Sequence, residues 1–202
     1  MNTRATSKSA KSANSAATSG QARSGPTIYL ACSFRHIHAV RLLGRELKAM
    51  GYEILDWTKK ATPPEGLSPA ERRAWMDTDH GGEVYIFCEQ ACREADFVIY
   101  LGTSGQDAGV EVGLAKGSGV PVLCIRGPLE APGLMLYGAG SVWLESIEEA
   151  LDLLGEIKQW AKIAQADGPL ADMPPTVQAM LKKFLHKKGS QGERPEQTIH
   201  EM

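Results

Sequence analysis

The sequence lacks the features that mark secreted, membrane-spanning or strongly nucleic-acid-binding proteins. Cysteine is scarce, with four among 202 residues, and none has the C-x-x-C spacing of zinc sites. We therefore expect buried, reduced thiols in a cytoplasmic protein and predict neither a metal nor a cofactor. No apolar run approaches the roughly 20 residues of a membrane span, so we expect a soluble protein without a membrane partner. The net charge of −2 gives no basic field, so nucleic acid is not an expected partner of the folded part.

Acidic residues are absent from the first 25 residues, which are rich in Ser, Ala and Thr and carry four basic residues: Arg4, Lys8, Lys11 and Arg23. Without apolar periodicity, residues 1–25 are predicted to form a disordered basic arm. A transit peptide, an expression-vector leader and a weak nucleic-acid tether share this composition. Residues 164–202 are predicted to be an extension, with a short amphipathic helix over 177–185 and a disordered tail. The folded domain is therefore expected over residues 26–163.

Between these ends, short apolar runs rich in strand formers alternate with patterns of helical spacing. The predicted strands cover residues 27–32, 52–57, 96–101, 120–125 and 141–144. Predicted helices cover about 36–50, 83–94, 107–116 and 147–160, and a long excursion over 58–80 contains a short helix near 71–76. A strand, helix, strand order predicts a parallel sheet, because the helix carries the chain back to the end at which the first strand began. Such crossovers are right-handed in nearly every known case. The sequence thus predicts an α/β three-layer sandwich on a five-stranded parallel sheet.

A glycine-rich turn, Gly102–Asp107, follows the third predicted strand and leads into a helix that contains Glu111. Strand ends in parallel sheets leave a crevice at their carboxyl edge, and helix N-termini there attract anions. The loop with Ser33 and Arg35 follows the first strand and is expected at the same edge. A hydroxyl, a guanidinium and free N–H groups around a carboxylate suit a sugar phosphate bound beside a nucleophile. Glu111 is therefore the leading candidate for a functional residue.

Structural interpretations of the same residues stay open. One alternative is that Glu111 is an ordinary solvated helix residue, and Ser104 and Asp107 have the spacing of a helix capping box. The glycines at every fourth position of the helix form a smooth stripe that a neighbouring backbone can approach closely: Gly109, Gly113 and Gly117. If that stripe packs on the sheet, helix geometry turns Glu111 outward or toward the crevice.

Four separate segments occur in the order and spacing of a known family. They are Ile28–Arg35, Ala95–Ile99, Gly109–Ala115 and Gly119–Val122, and the likeness covers about residues 27–155. These segments resemble the nucleoside 2-deoxyribosyltransferase superfamily, including its deoxynucleoside 5′-phosphate N-hydrolase branch. The resemblance implies a flavodoxin-like, Rossmann-like fold, assembled as a homodimer or a larger homo-oligomer. It also implies a nucleoside or nucleotide as the ligand.

The resemblance assigns expected roles to several residues. Glu111 matches the carboxylate that attacks the anomeric carbon, Tyr29 and Arg35 match positions near the nucleotide, and Ser33 matches a phosphate-contacting serine of the hydrolase branch. The turn is expected to hold the ligand with them, through Gly102, Ser104 and Gly105. The prediction is an N-glycosidic-bond enzyme, either an N-hydrolase or a 2-deoxyribosyltransferase, that acts on nucleosides or nucleoside 5′-monophosphates.

One position departs from the family pattern. Eight residues before Asp96, where the family usually has an aspartate, this chain has Cys88, a thiol that cannot transfer a proton as a carboxylic acid does. Asp107 is the candidate that supplies the missing carboxyl group, and three upstream residues are alternatives: Asp77, Asp79 and Glu83. Because of this departure a second hypothesis stays open, in which the protein is a nucleotide-binding or sensory homologue without turnover.

Overall fold

The computed structural model describes residues 25–61, 66–166 and 168–182. The basic arm predicted for residues 1–25 lies outside this part of the chain, apart from Gly25, and so does the tail beyond residue 182. Residues 175–182 form a helix, which overlaps residues 177–182 of the helix predicted over 177–185. None of the helices in these ranges combines the length and the apolar content that crossing a membrane requires.

Five strands form one parallel sheet. In chain order they are β1 Thr27–Ala31, β2 Glu53–Leu55, β3 Phe97–Leu101, β4 Val122–Ile125 and β5 Val142–Leu144. The sheet order is β2-β1-β3-β4-β5, and every neighbouring pair is parallel. β1, β3 and β4 are buried along their whole length, as is usual for parallel strands covered on both faces. The predicted sheet is confirmed, and each strand lies within its predicted run.

Helices cover both faces of the sheet. In chain order they are α1 Ile37–Ala49, α2 Pro69–Met76, α3 Asp79–Glu94, α4 Gln106–Gly117, α5 Leu134–Ala139, α6 Ile147–Gln165 and α7 175–182. α1 and α6 lie on one face, where the Lys158 ammonium group donates to the carbonyl of Met50. α3 and α4 pack together on the other face, with α5 beside α4. The predicted three-layer sandwich is confirmed, and its strand order is that of flavodoxin-like folds.

Capping residues set helix boundaries that periodicity does not locate. α3 begins at Asp79 rather than near 83, because the Thr78 hydroxyl accepts the N–H of Gly81 at 3.2 Å. α2 begins after Ser68, which exchanges two hydrogen bonds with Glu71 in a capping box. α5 has no counterpart among the predicted helices, because its six residues are too few to show a helical periodicity, although Leu136 and Ala139 pack against the core.

Asp96, which belongs to the segment Ala95–Ile99, joins two strands at the amino edge of the sheet. Its carboxylate accepts the N–H of Thr27 at 2.8 Å and the Thr27 hydroxyl at 3.2 Å. Its own N–H donates to that hydroxyl at 3.0 Å. These bonds join the starts of β1 and β3, so Asp96 is a structural residue at the edge opposite the strand ends that face the candidate site.

Candidate active site

Glu111 and Tyr29 meet between β1 and α4. α4 follows β3 after a short turn, which puts its first turns at the carboxyl edge of the sheet. Tyr29 is fully buried and donates its hydroxyl to Glu111 Oε1 at 2.6 Å. Glu111 Oε2 is buried as well, and it has no hydrogen-bond partner among the described residues. Such an unpaired buried oxygen costs stability, and in native proteins it calls for an explanation such as catalysis or a bound group.

The surroundings of Glu111 oppose its ionisation. Burial raises the pKa of Glu111 from its usual 4.5 to about 7; the hydrogen bond from Tyr29 acts in the lowering direction, and the Asp107 carboxylate raises it. Burial, followed by the charge of Glu111, raises the pKa of Tyr29 far above its usual value, so this hydroxyl stays protonated and remains a donor. Glu111 therefore titrates near neutral pH, a property that clusters at catalytic sites.

The glycine stripe of α4 faces solvent instead of the sheet. A Cβ added at any of its positions would meet no atom within 4 Å among the described residues: Gly109, Gly113 and Gly117. The residues that α4 buries are Ala108, Val112 and Ala115, because they bring apolar area to the sheet that glycine lacks. The condition that this stripe packs on the sheet is therefore not met. Glu111 precedes Val112 and lies on the flank of the buried face, so it is not an ordinary solvated residue.

Thiols of α3 lie close to the Tyr29 hydroxyl. Burial raises the pKa of Cys88, a hydrogen bond with Tyr29 lowers it, and the charges of Glu111 and Asp107 raise it. Burial also raises the pKa of Cys92, which lies one helical turn further along α3. All four cysteines of the chain are free. The position where the family usually has an aspartate is thus occupied by a neutral thiol in contact with the Tyr29 hydroxyl.

Among the candidate acids, Asp107 is the one whose charge acts on Glu111. It is exposed in the first turn of α4, and its charge also acts on Cys88. The upstream candidates are exposed near the end of α2 and the start of α3: Asp77, Asp79 and Glu83. Within the described ranges, no hydrogen bond or ion pair joins any of these three to Glu111. Asp107 is therefore the better candidate for a second carboxyl group in the site.

Two serines join the loop after β1 to the turn after β3. The N–H of Ser33 donates to Ser104 Oγ at 3.0 Å, and this hydroxyl donates to the carbonyl of Leu101 at 2.5 Å. α4 begins after Gly105, which provides no side-chain cap. The capping box expected from Ser104 and Asp107 is therefore wrong, because the Ser104 hydroxyl bridges the two loops instead of capping the helix.

The loop after β1 continues as a short 3-10 helix, Phe34–His36, capped by the Ser33 hydroxyl, which accepts the N–H of Arg35 at 3.4 Å. His36 Nε2 lies 2.8 Å from the carbonyl oxygen of Thr103, which is a second link to the turn after β3. Arg35 is exposed, and its guanidinium has no hydrogen bond or ion pair to any residue that the structure describes. It is therefore available to pair with an anionic group at this edge.

The residues predicted from the sequence form two contacting groups at the carboxyl edge, Tyr29 with Glu111 and Ser33 with Ser104. Gly102 is buried and Gly105 is exposed in the turn between β3 and α4. In the part of the chain described, no group of three or more His, Cys, Asp or Glu residues is arranged to hold a metal ion. The chemistry available to this arrangement is that of a carboxylate, a phenol, hydroxyl groups and helix N–H groups.

Tyr100 and Glu130 form a further polar contact at this edge that the sequence patterns do not reveal. Glu130 Oε1 accepts the Tyr100 hydroxyl at 2.6 Å, and Oε2 accepts the N–H of Gly127 at 2.8 Å. The Tyr100 hydroxyl in turn accepts the N–H of Ser104 at 3.1 Å. A tyrosine within an apolar strand signals that its hydroxyl has a partner. That partner lies 30 residues later in the chain, so no local pattern identifies it.

No protein-family model and no curated protein matches the chain. Among solved structures, it is similar to a 2-deoxyribosyltransferase from Bacillus psychrosaccharolyticus, with 17% identity and a TM-score of 0.45 over 62% of this chain and 90% of that one. It is also similar to the CMP N-glycosidase of Clostridium botulinum, with 15% identity and a TM-score of 0.43 over 63% and 97% of the two chains. A conserved protein from Enterococcus faecalis V583 has 15% identity and a TM-score of 0.45 over 63% and 96%.

At these identities and TM-scores the solved structures assign no residue of the site, and the fold is established by the strand order itself. The solved structures to which this chain is similar thus include a 2-deoxyribosyltransferase and a CMP N-glycosidase.

Proposed function

We propose that this protein cleaves the N-glycosidic bond of nucleosides or nucleoside 5′-monophosphates, with Glu111 as the nucleophile. One observation carries the proposal: Glu111 has one oxygen held by Tyr29 at 2.6 Å and the other buried without a partner in the described part of the chain. A retaining mechanism needs a carboxylate that is fixed in orientation and has one oxygen free to bond. The resemblance of the sequence segments supports the same role.

In the proposed reaction, the free oxygen of Glu111 bonds to the anomeric carbon while the C–N bond breaks. The electron pair of that bond passes to the departing base, which takes up a proton supplied by Asp107 or by solvent. Water then attacks the anomeric carbon and gives a proton back to that donor, and the bond to Glu111 breaks, which regenerates the carboxylate. A second base in place of water gives transfer instead of hydrolysis. Because burial raises the pKa of Glu111 to about 7, we expect the rate to increase as the pH rises through that value.

The proposed ligand contacts come from both loops at the carboxyl edge. Ser33 and Arg35 are proposed to bind the sugar or a 5′-phosphate, because an exposed guanidinium without a described partner is suited to an anion. The turn at the positive end of α4 is proposed to contact the ligand through Gly102, Ser104 and Gly105. The N–H groups of Gly102 and Ser104 already donate to the Ile125 carbonyl and the Tyr100 hydroxyl, so Gly105 is the residue of the three proposed to donate its N–H to the ligand. Asp107 is proposed to protonate or hydrogen-bond the departing base, since its charge acts on Glu111.

A chromatographic screen of nucleosides and 5′-monophosphates, run with and without an acceptor base, tests this proposal. We expect base release by the wild-type protein and a loss of at least about 1000-fold in Glu111→Gln, because removal of a nucleophile removes the chemical step. Glu94→Gln is a matched control, since Glu94 is exposed at the end of α3 away from the carboxyl edge. Equal base release by Glu111→Gln and wild type would refute the role of Glu111.

The second candidate is a nucleotide-binding or sensory homologue without turnover, and the thiol of Cys88 beside Tyr29 favours it. A neutral thiol supplies no proton to a departing base at neutral pH. Isothermal titration calorimetry of the ligands used in the screen separates the two candidates. Tight binding without base release supports the binding protein, whereas base release supports the enzyme.

We further propose that the protein forms a homo-oligomer in the cytoplasm. α3 and α4 expose large apolar side chains, among them Tyr85 at 63% and Val110 at 61%, and α4 also exposes its glycine stripe. Exposed apolar side chains on packed helices are typical of subunit interfaces, and free cysteines suit a reducing compartment. Light scattering should give a dimer or larger species for the wild type and a smaller species for Val110→Glu. A monomeric wild type would contradict the proposed assembly.

A further inference from the structure

The loop after β4 carries a carboxylate that is bound directly against the turn proposed to hold the ligand. Glu130 Oε1 accepts the hydroxyl of Tyr100 at 2.6 Å, and Oε2 accepts the N–H of Gly127 at 2.8 Å. Tyr100 is buried within β3, so its hydroxyl is a fixed point at the end of that strand. We call Glu130, Tyr100 and Gly127 the carboxylate clasp.

The carboxylate clasp reaches the ligand turn in two ways. The Tyr100 hydroxyl accepts the N–H of Ser104 at 3.1 Å, so the tyrosine joins Glu130 to the residue that bridges the two loops. Glu130 also lies against the backbone of Gly102, where an added Cβ would overlap the Glu130 carboxylate and come within 2.7 Å of the Gly127 nitrogen. The clasp therefore fixes both ends of the segment 102–104.

From Ser104 the same chain of contacts continues to the loop after β1. The Ser104 hydroxyl accepts the N–H of Ser33 at 3.0 Å, and Ser33 caps the short helix that carries Arg35. A movement of the turn at Ser104 therefore moves a contact of the other proposed ligand-binding loop. The Tyr100 hydroxyl and the carboxylate that accepts it thus connect three separate loops, those after β1, β3 and β4, beside the direct contact of His36 with the carbonyl of Thr103.

We propose that Glu130 is a positioning residue, which acts through Tyr100 to hold the turn 102–104 in the geometry that binds the sugar or phosphate of the ligand. The part of the proposal that concerns the ligand rests on the function proposed above. Glu130 does not touch the reacting atoms, so its loss weakens ligand binding more than it slows the chemical step. Removal of uniform binding raises KM and leaves kcat nearly unchanged.

The test compares Glu130→Ala and Tyr100→Phe with the wild type by two measurements. The first is amide hydrogen exchange, in which we expect the Ser104 N–H to exchange about tenfold faster in either variant. Glu130→Ala removes the carboxylate that holds the Tyr100 hydroxyl in place, and Tyr100→Phe removes the hydroxyl that accepts the Ser104 N–H. The second is steady-state kinetics, in which we expect KM to rise about tenfold and kcat to change less than about threefold. The double variant should show less than the product of the two single effects, because both residues act on the N–H of Ser104.

Two further variants separate positioning from a general loss of charge or stability. Glu94→Ala removes an exposed carboxylate at the end of α3, away from the carboxyl edge, and it should leave both the exchange rate and KM unchanged. Glu130→Gln keeps an oxygen for the Tyr100 hydroxyl but turns an NH₂ group toward the N–H of Gly127, so an intermediate effect is expected. This partial rescue also keeps the test valid if Glu130→Ala does not fold.

The outcomes for the clasp and for the proposed function are distinguishable. Unchanged exchange of the Ser104 amide in folded Glu130→Ala overturns the carboxylate clasp. Faster exchange with unchanged KM overturns the positioning role and leaves a purely structural contact. If the wild type releases no base from any ligand, the proposed function fails, and the exchange measurement alone then supports or overturns the clasp.

Discussion

The hydrogen bond between Tyr29 and Glu111 is expected to set the pH dependence of the protein, and Tyr29→Phe tests this directly. The substitution removes one hydroxyl and leaves the buried ring in place, so it does not leave a cavity of the size of a side chain. In the described part of the chain, Glu111 loses its hydrogen-bond donor at 2.6 Å. The carboxyl group stays buried, and the charge of Asp107 still opposes its ionisation. The pKa of Glu111 is therefore expected to rise further.

The size of this shift follows from the strength of the bond. A hydrogen bond to an ionised group contributes about 1.5–3 kcal/mol, and one pKa unit corresponds to about 1.36 kcal/mol. The pKa of Glu111, about 7 in the wild type, should therefore rise by roughly one to two units in Tyr29→Phe. The ionised fraction at pH 7 then falls roughly 5- to 50-fold, and most of it returns near pH 10.

The assay is the pH profile of kcat/KM for base release, whose acidic limb reports the pKa of the essential carboxylate in the free enzyme. Tyr52→Phe is the matched control, since Tyr52 is also buried and donates its hydroxyl to the carbonyl of Leu154 at 2.8 Å. This control should lose about 1 kcal/mol of stability and keep the wild-type pH profile. Superimposable pH profiles of Tyr29→Phe and wild type would refute the claim that the acidic limb reports the ionisation of Glu111 beside Tyr29.

Further expectations concern stability. The pKa of Glu111 is raised from 4.5 to about 7 in the folded state. The contribution of protonated Glu111 to the free energy of unfolding is therefore fully present below pH 4.5 and is lost as the pH rises through 7. Glu111→Gln cannot ionise, so urea unfolding should find it more stable than wild type by up to about 3 kcal/mol at pH 8.5, with almost no gain at pH 4.5; equal gains at both values would contradict the pKa shift. Gly102→Ala should lose about 1–3 kcal/mol, because its Cβ overlaps the Glu130 carboxylate, whereas Gly105→Ala, with open space, should stay within about 0.5 kcal/mol. Gly113→Ala should gain roughly 0.5–1 kcal/mol in thermal or urea unfolding of the monomer, because the position is open and helical; a loss of stability in the monomer would contradict the open surroundings of this position.

Local pattern predicted the layers of the fold, but not the pairing of strands. Continuous apolar runs such as Phe97–Leu101 identify buried parallel strands, because both of their faces are covered. The order of strands depends on contacts between distant residues, such as Ile28 opposite Phe97, which no local window contains. Helix starts such as Asp79 depend on a single cap, which periodicity does not detect. The division between residues 26–163 and 164–202 stays a prediction.

The candidate site was predictable where it depends on strand ends. Ser33 and Ser104 follow neighbouring parallel strands, so their contact follows from the topology. The direction of Glu111 was not predictable from the glycine stripe, because α4 carries a second stripe of small apolar side chains. That second stripe is buried, and the glycines face open space. The role of Glu130 depends on a loop whose path no sequence pattern gives.

The covalent intermediate on Glu111 is the most direct test of the central claim. The wild-type protein is mixed with its best substrate, stopped in acid during the first turnovers, digested and analysed by mass spectrometry. The proposed mechanism predicts the mass of one sugar, or of one sugar phosphate for a 5′-monophosphate, added to the peptide that contains Glu111, and no such addition in Glu111→Gln. A sugar attached to another residue, or steady base release by Glu111→Gln, would contradict the mechanism.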